Sequence, residues 1–290
     1  MAKRIVLFLL TNLAVVTTIS IVLGILGIRP GGGLVPMAIF CFIWGMGGAF
    51  ISLGISRWMA KRGMGVKLVD GNTGNPDADW LYRTVERLAQ QSQLPMPEVG
   101  IYNSPEVNAF ATGPTKNRSL VAVSTGILQA MKRNELEAVL AHEVSHIGNG
   151  DMVTMTLLQG VMNAFVMFVA RLIASVVAGG SRDERGSGMM YFGVRILAEI
   201  VLGIAGSLVT ASFSRHREFR ADEGGATLAG RENMVAALRR LGAGPQLIDP
   251  RAPALASFKI SGQPSRFAAL FSTHPPLEVR IQALRRNMGQ

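Results

Sequence analysis

Two histidines four residues apart carry the clearest chemistry in the sequence. They belong to the segment His142-Glu143-Val144-Ser145-His146, in a chain with four histidines. On an α-helix, residues four apart lie about 40° apart around the axis and about 6 Å along it. Both imidazoles therefore project from one face and can hold one metal ion. Glu143 lies beside them, and the spacing is the H-E-x-x-H zinc signature, in which the glutamate is the general base.

The motif alone leaves two interpretations open, a catalytic zinc site or two histidines that serve the structure without a metal. The surrounding residues favour the metal, because they predict a helix that can support ligands. The helix is expected to begin at Asn134, with Glu137 completing a capping box three residues later. Its apolar face would be formed by Leu136, Val139, Leu140 and Val144.

A catalytic zinc site needs a third protein ligand and leaves the fourth position to water. Position 152 is Met152, so the extended H-x-x-G-x-x-H pattern does not supply that ligand. Acidic candidates lie further along the chain, at Glu218, Asp222 and Glu223. Glu218 and Asp222 share a helical face, so one could bind the metal while the other accepts a hydrogen bond from an imidazole. A solvated, salt-bridged helix explains the same spacing equally well.

The composition indicates a membrane protein. Of 290 residues, 49% are hydrophobic and only 17% are charged, against about 25% charged in ordinary globular domains. This excludes intrinsic disorder, and the single cysteine excludes an intrachain disulfide framework. The formal net charge of +10 first suggests a nucleic-acid partner. No aromatic and basic RNA motif accompanies it, so no nucleic acid is expected as a partner.

Four apolar runs predict four transmembrane helices. Residues 5–28 and 30–56 contain no charge, and each exceeds the roughly 20 residues that a bilayer core requires. Basic residues lie before the first run and after the second, which predicts that both ends of this hairpin are cytoplasmic: Lys3, Arg4, Arg57, Lys61, Arg62 and Lys67.

The third and fourth runs, 152–180 and 189–213, contain charges. The polar segment 179–188 between them predicts a loop. Because intramembrane charges are usually paired, we expect Arg171 and Glu199 to face each other. Packing within protein, partly outside lipid, is an equally good interpretation of these two runs.

The rest of the chain predicts a soluble α+β region. Asn75 and Pro76 begin a helix, and further helices are expected around 216–229, 231–241 and 276–287. Short strands are expected at 99–102, 109–112 and 120–123, separated by Pro, Gly and Asn turns. The Gly- and Pro-rich stretch 242–266 is expected to be irregular.

Several sequence blocks, in order along the whole chain, resemble the HtpX family of bacterial membrane zinc metalloproteases, relatives of the CaaX prenyl endoproteases. The zinc motif lies in AHEVSHI at 141–147, followed by NGDMVTMT at 149–156. The other blocks are FLLTNLA at 8–14, NAFATG at 108–113, LVAVSTG at 120–126, FSRHREF at 213–219 with Ala221-Asp222, and STHPPL at 272–277.

The resemblance implies a role for each of these blocks. Glu218 would be the third ligand of one Zn²⁺ per chain, and Asp222 would orient a ligand imidazole. His274 would lie near the substrate and stabilise the oxyanion. Asn108, Ala109 and Phe110 would form the strand edge along which a peptide is laid. His216 has the wrong helical phase relative to Glu218 and is expected to be structural or exposed.

The fold class expected from these observations is a mostly α membrane protein, with transmembrane helices and a cytoplasmic α+β zincin-like protease domain that contains a small sheet. The expected segments are the transmembrane hairpin 1–62, a first protease part 63–151, the later apolar helices 152–213 and a second protease part 214–290.

The resemblance implies a bacterial inner-membrane endopeptidase that hydrolyses misfolded or damaged membrane proteins, with its active site facing the cytoplasm. Such an enzyme would contact the lipid bilayer and membrane-protein or unfolded polypeptide substrates. Two other functions stay open. One is a transporter or channel with an incidental zinc site and a pathway through Arg171, Arg195 and Glu199. The other is a metal-dependent scaffold without turnover.

Overall fold

The computed structural model describes residues 33–179, 184–243 and 272–286, without the side chains of 184–187. The first predicted span and nearly all of the irregular stretch 242–266 lie outside these residues. The described chain contains α1 (Leu34–Met64), β1 (Lys67–Val69), α2 (Pro76–Gln91), β2 (Glu98–Tyr102), β3 (Ala109–Thr112), β4 (Leu120–Ser124), α3 (Thr125–Ala130), α4 (Arg133–Asn149), α5 (Asp151–Gly179), α6 (Glu184–Ala229), α7 (Arg231–Ala243) and α8 (Leu277–Arg286).

Three of these helices are long and apolar enough to cross a membrane. They are α1, α5 and the part of α6 from Gly188 onward, and they cover most of the second and third predicted spans and all of the fourth. Large apolar side chains remain exposed along all three, which is the pattern expected of surfaces that face lipid rather than water.

The described residues fall into two compact units. The first contains α1 up to Ile51 together with Thr156–Thr210 of α5 and α6. The second contains Ser52–Met155 and the described residues from Ala211 onward. The second unit therefore contains the sheet and the H-E-x-x-H helix.

Small residues allow α1 and α5 to pack closely within the first unit. A Cβ atom on Gly45 would lie only 2.6 Å from Ala164 Cα, and one on Gly160 would lie 2.7 Å from Met46 Sδ. Close backbone approach at small residues is the usual way in which membrane helices associate. Arg171 Nη1 lies 3.6 Å from Glu199 Oε1, so the prediction that these two charges face each other is confirmed.

A four-stranded sheet lies in the second unit, in the order β1-β2-β4-β3. β2 and β4 are parallel, whereas β1–β2 and β3–β4 are antiparallel. The three predicted strands are confirmed, and the three-residue β1 was not predicted. The apolar faces of α2 and α4 pack with the sheet into one core that includes Leu81, Val85, Val121, Val139 and Val144.

Two predicted boundaries were wrong. Helix α4 begins at Arg133 rather than Asn134, because the carboxylate of Glu135 accepts a hydrogen bond from Lys132 N at 2.9 Å and caps the helix one residue earlier. Glu137 instead pairs with Arg87 at 2.9 Å. The helix expected around 216–229 is the end of α6, which begins at Glu184 and therefore also shortens the predicted 179–188 loop.

Helix α6 approaches α4 closely beside the H-E-x-x-H motif. A Cβ atom on Gly224 would lie 2.5 Å from Ser145 Oγ and 2.9 Å from Ser145 Cβ. Gly224→Ala is therefore expected to force the two helices apart and to destabilise the protein by about 1–3 kcal/mol. Urea unfolding in detergent measures this loss. Gly203→Ala, on the same helix with nothing within 4 Å, is the matched control, and equal stability of both variants would contradict the close contact.

Candidate metal centre

Three buried side chains from α4 and α6 converge on one point. The two imidazole nitrogens His142 Nε2 and His146 Nε2 lie 3.1 Å apart. Glu218 Oε2 lies 3.6 Å from the first nitrogen, and Glu218 Oε1 lies 3.3 Å from the second. The ligand atoms of a tetrahedral zinc ion lie about 3.4 Å from one another, given zinc–ligand distances near 2.1 Å. These three residues form a group that could hold a metal ion.

The charge of this cluster also fits a metal cation. Glu218 is fully buried, and its carboxylate faces two imidazole nitrogens that can donate to it only when they are protonated. Burying a carboxylate is costly unless a cation compensates its charge. Two imidazole nitrogens and one carboxylate oxygen are ligands that suit zinc and leave a fourth position open. The residues present therefore fit the metal that the sequence motif predicts.

A carboxylate contacts the second nitrogen of each imidazole. Asp222 Oδ1 lies 3.0 Å from His142 Nδ1, and Asp151 Oδ2 lies 2.7 Å from His146 Nδ1. A carboxylate in this position keeps the proton on Nδ1 and leaves the Nε2 lone pair for a metal. The family resemblance predicted Asp222 beside an imidazole, whereas Asp151 was assigned no role.

Arg280 is a second residue that the sequence analysis missed. It is 1% exposed, and it donates to both oxygens of Asp222, at 2.7 Å from Nε and 2.5 Å from Nη2. Its Nη1 also lies 3.5 Å from Glu218 Oε2. The sequence contained one signal, since Arg280 shares the buried face of α8 with Leu284 and Ile281, where an apolar residue would be expected.

Glu143 and His274 are the two predicted catalytic residues. Glu143 directly follows His142 in the sequence and is 5% exposed. His274 Nδ1 lies 2.8 Å from Glu218 Oε2, so the structure brings this residue to the ligand carboxylate. His216 is exposed and its Nδ1 lies 2.9 Å from Ser212 O, as expected of a residue outside the cluster.

The predicted peptide-binding segment, Asn108 to Phe110, overlaps the first two residues of the edge strand β3. Among the described strands, β3 pairs only with β4. The Asn108 side chain is buried and donates to Tyr102 Oη at 3.0 Å, and Phe110 packs on the Tyr102 ring at 5.8 Å. These side chains thus point into the protein, and a peptide along this edge would meet the backbone of β3.

The cluster holds protons tightly when no metal is present. Burial opposes the charged form of His142, but its hydrogen bonds with Asp222 and Glu218 raise its pKa to about 9. Burial likewise opposes protonation of His146, and the bonds with Asp151 and Glu218 raise its pKa. Burial also disfavours ionised Glu218, yet the neighbouring His274 and the two ligand imidazoles hold the pKa of this carboxyl well below its usual range. Glu218, at the polar end of α6, therefore stays ionised, while protons compete with a metal for the two imidazoles.

Zinc binding is expected to release protons at pH 7. His142 is protonated in the metal-free protein below about pH 9, and a metal binds only the neutral imidazole. Zinc affinity should therefore rise with pH and level off above about pH 9. Calorimetry in two buffers of different ionisation enthalpy counts the released protons. A zinc affinity that is constant between pH 6 and 9, without proton release, would contradict this competition.

Comparisons with known proteins find a matching family model, relatives of similar sequence and a solved structure with a similar fold. Residues 75–288 match the family model described as Peptidase family M48. Protease HtpX of Idiomarina loihiensis is 52% identical over 285 residues, covering 97% of this chain and 98% of the relative. Protease HtpX of Serratia proteamaculans is 51% identical over 291 residues, covering 97% of each. The fold is similar to the crystal structure of S. mikatae Ste24p, with a TM-score of 0.62 and 17% identity, covering 98% of this chain and 67% of that one.

Proposed function

Because the chain belongs to peptidase family M48 and is a membrane metallopeptidase of the HtpX type, we propose that it is a zinc-dependent endopeptidase. The observation that carries the proposal is the convergence of two imidazole nitrogens and one buried carboxylate on a single point. We propose that His142, His146 and Glu218 hold one Zn²⁺ per chain. Zinc bound there would polarise water and the scissile carbonyl, which is the chemistry that peptide hydrolysis needs.

In this mechanism Glu143 moves the proton. Its carboxylate takes a proton from the attacking water and delivers it to the nitrogen of the leaving amine. Burial of Glu143 supports this role, because a water-poor environment strengthens its interactions with the reacting groups. His274 would donate a hydrogen bond to the oxyanion that develops on the scissile carbonyl. The short contact between His274 and Glu218, a proposed metal ligand, supports a position of His274 near the oxyanion.

The substrate would bind as an added strand along β3. In an antiparallel pair, alternate residues direct their backbone N–H and C=O groups away from the partner strand. Ser124 N donates to Asn108 O in the β3–β4 pairing, so the backbone groups of Ala109 and Ala111, which are 0% and 8% exposed, are directed away from β4. Backbone recognition favours unfolded or damaged membrane proteins as substrates over one specific sequence.

We further propose that the enzyme lies in the bacterial inner membrane with its site facing the cytoplasm. Four basic residues at the end of α1 and just after it support this orientation: Arg57, Lys61, Arg62 and Lys67. Glu98 contacts Arg57 and Lys61 at 3.4 and 2.8 Å. Acidic residues, however, contribute little to the positive-inside rule, by which basic residues mark the cytoplasmic side. Quality control of membrane proteins is the role that fits such a site.

The transporter alternative gains no support from the structure. Its expected pathway residues contact one another, since Glu199 Oε1 lies 3.6 Å from Arg171 Nη1 and 3.9 Å from Arg195 Nε. Charges paired in this way offset each other within the apolar unit and need no transported ion to explain them.

Metal removal tests the proposed activity. The full chain in detergent, with zinc, should cleave an unfolded protein such as labelled casein, and a chelator should abolish cleavage until zinc is restored. His142→Ala should be inactive at every zinc concentration that supports the parent. His216→Ala, which changes an exposed histidine outside the cluster, is the matched control and should cleave normally. Cleavage by the chelated parent or by His142→Ala would contradict a zinc-dependent peptidase.

A further inference from the structure

Asp151 is a buried acid whose two oxygens contact two different parts of the metal centre. It is 1% exposed and begins α5, directly after Gly150, whose left-handed backbone (φ 69°) ends α4. Asp151 Oδ2 lies 2.7 Å from His146 Nδ1. Asp151 Oδ1 accepts a hydrogen bond from Arg220 Nη2 at 2.9 Å. Arg220 follows Glu218 by two residues on α6.

A purely local role does not explain this arrangement. An acid in the first turn of a helix is favourable because it faces the positive end of the helix dipole, but an exposed acid obtains the same benefit. Burying a carboxylate is costly unless its oxygens are paired. The partners of Asp151 are a ligand imidazole and an arginine from another helix. The position therefore serves the metal centre as well as the helix.

The other ligand imidazole has a matching arrangement. Asp222 contacts His142 Nδ1, and Arg280 donates to both oxygens of Asp222. Each imidazole thus contacts a different aspartate, and each aspartate accepts a hydrogen bond from a different arginine. The two arginines differ in burial, since the Arg280 side chain is 1% exposed whereas that of Arg220 is 61% exposed.

We propose, resting on the zinc site of the proposed function, that Asp151 is a positioning residue for the metal ligand His146. It holds the proton on Nδ1 and directs the Nε2 lone pair toward the metal. Arg220 fixes Asp151 and ties the start of α5 to the segment of α6 that carries Glu218. The ligands of the two helices are therefore kept at the spacing that one metal ion requires.

Metal affinity of the full chain in detergent tests this proposal without any peptidase assay. Loss of such a carboxylate typically weakens metal binding about 10- to 100-fold, so Asp151→Ala should raise the zinc Kd by this factor, as should Asp222→Ala. Asp151→Asn keeps the size of the side chain and should weaken zinc binding less. The visible spectrum of the cobalt-substituted protein should shift in both Asp151 variants. Asp77→Asn removes the exposed pair with Arg133 and should change neither readout.

The contribution of Arg220 is tested by a double variant. The exposed ion pair of Arg220 predicts only about a 2- to 5-fold rise in zinc Kd for Arg220→Gln, with recovery in Arg220→Lys. Because Arg220 acts through Asp151, adding Arg220→Gln to Asp151→Asn should not raise the Kd further. A fully additive effect would overturn this coupling.

Comparing zinc affinity with the melting temperature distinguishes a role of Asp151 in positioning His146 from a role in folding alone. If Asp151 only stabilised the fold, Asp151→Asn would lower the melting temperature of the metal-free protein while zinc Kd and cobalt spectrum stayed those of the parent, and the proposal would be wrong. A parent that binds no zinc would instead overturn the proposed function. Zinc binding by the parent with unchanged affinity in both Asp151 variants would overturn only the role of Asp151.

Discussion

Glu143→Gln is expected to lower kcat by about 10²- to 10⁴-fold, the range that general acid–base groups contribute, while zinc remains bound. Glutamine has nearly the same size as glutamate but cannot accept the proton of the attacking water. Glu143 is outside the group of three residues that could hold the metal, so zinc content should not change. Steady-state cleavage of an unfolded substrate, together with metal analysis of the same samples, measures both quantities.

Glu137→Gln provides the matched control for this change. Glu137 lies on the same helix and pairs with Arg87 at 2.9 Å, away from the metal ligands. The Glu137→Gln variant should retain the activity of the parent. A Glu143→Gln protein that cleaves as fast as the parent would show that another group accepts the proton. Loss of zinc in this variant would show that Glu143 holds the metal or supports its ligands.

Arg280→Met is expected to cause the largest loss of stability, about 3–5 kcal/mol in the metal-free protein. The change leaves the buried carboxylates of Asp222 and Glu218 without the arginine that contacts both. Burial disfavours ionised Asp222, but Arg280 lowers the pKa of this carboxyl below its usual value. Urea unfolding of the metal-free chain in detergent measures the loss. Bound zinc should reduce it, because the metal supplies positive charge to Glu218.

The pH dependence of this loss identifies its cause. A carboxyl whose pKa is lowered in the folded state contributes stability above its unfolded pKa, near 4, and this contribution disappears as the pH falls through the folded value. The difference in free energy of unfolding between the parent and Arg280→Met should therefore have its full size at pH 7 and become smaller below about pH 4. Arg285→Met, on the exposed face of α8, is the control. An equal loss at all pH values would indicate packing rather than charge.

The residues of the candidate metal centre could be predicted largely because they follow helical spacing. His142 and His146 are four residues apart on one helix, and the same spacing places Glu218 and Asp222 on one face of another. Spacing did not distinguish ligand from orienting acid. That choice depends on how α6 passes α4, where Gly224 brings the helices together.

Asp151 and Arg280 could not be assigned from local patterns, for two physical reasons. Asp151 contacts His146 only because the left-handed Gly150 turns the chain between α4 and α5. Arg280 contacts Asp222 across 58 residues of sequence, and only the packing of α8 determines that pair. Both are tertiary contacts that leave little periodic signal.

The fold was predicted well where periodicity was strong and less well at boundaries. The three strands and the helix capped by Asn75 are confirmed, since alternation and capping chemistry are local. Helix α4 was misplaced by one residue because Glu135 and Glu137 each lie three residues after a possible cap. Helix α6 was divided in two because its composition changes from apolar to polar while its backbone continues as one helix.

The metal environment of the purified full chain tests the central claim most directly. Zinc analysis combined with X-ray absorption should find one zinc per chain, with imidazole nitrogens and oxygen ligands at about 2.0–2.2 Å. Glu218→Gln should lower the zinc content sharply, whereas Glu223→Gln, which changes an acid on the same helix that pairs with Arg231, should not. Less than stoichiometric zinc in the parent, or an unchanged zinc environment in Glu218→Gln, would contradict the proposed centre.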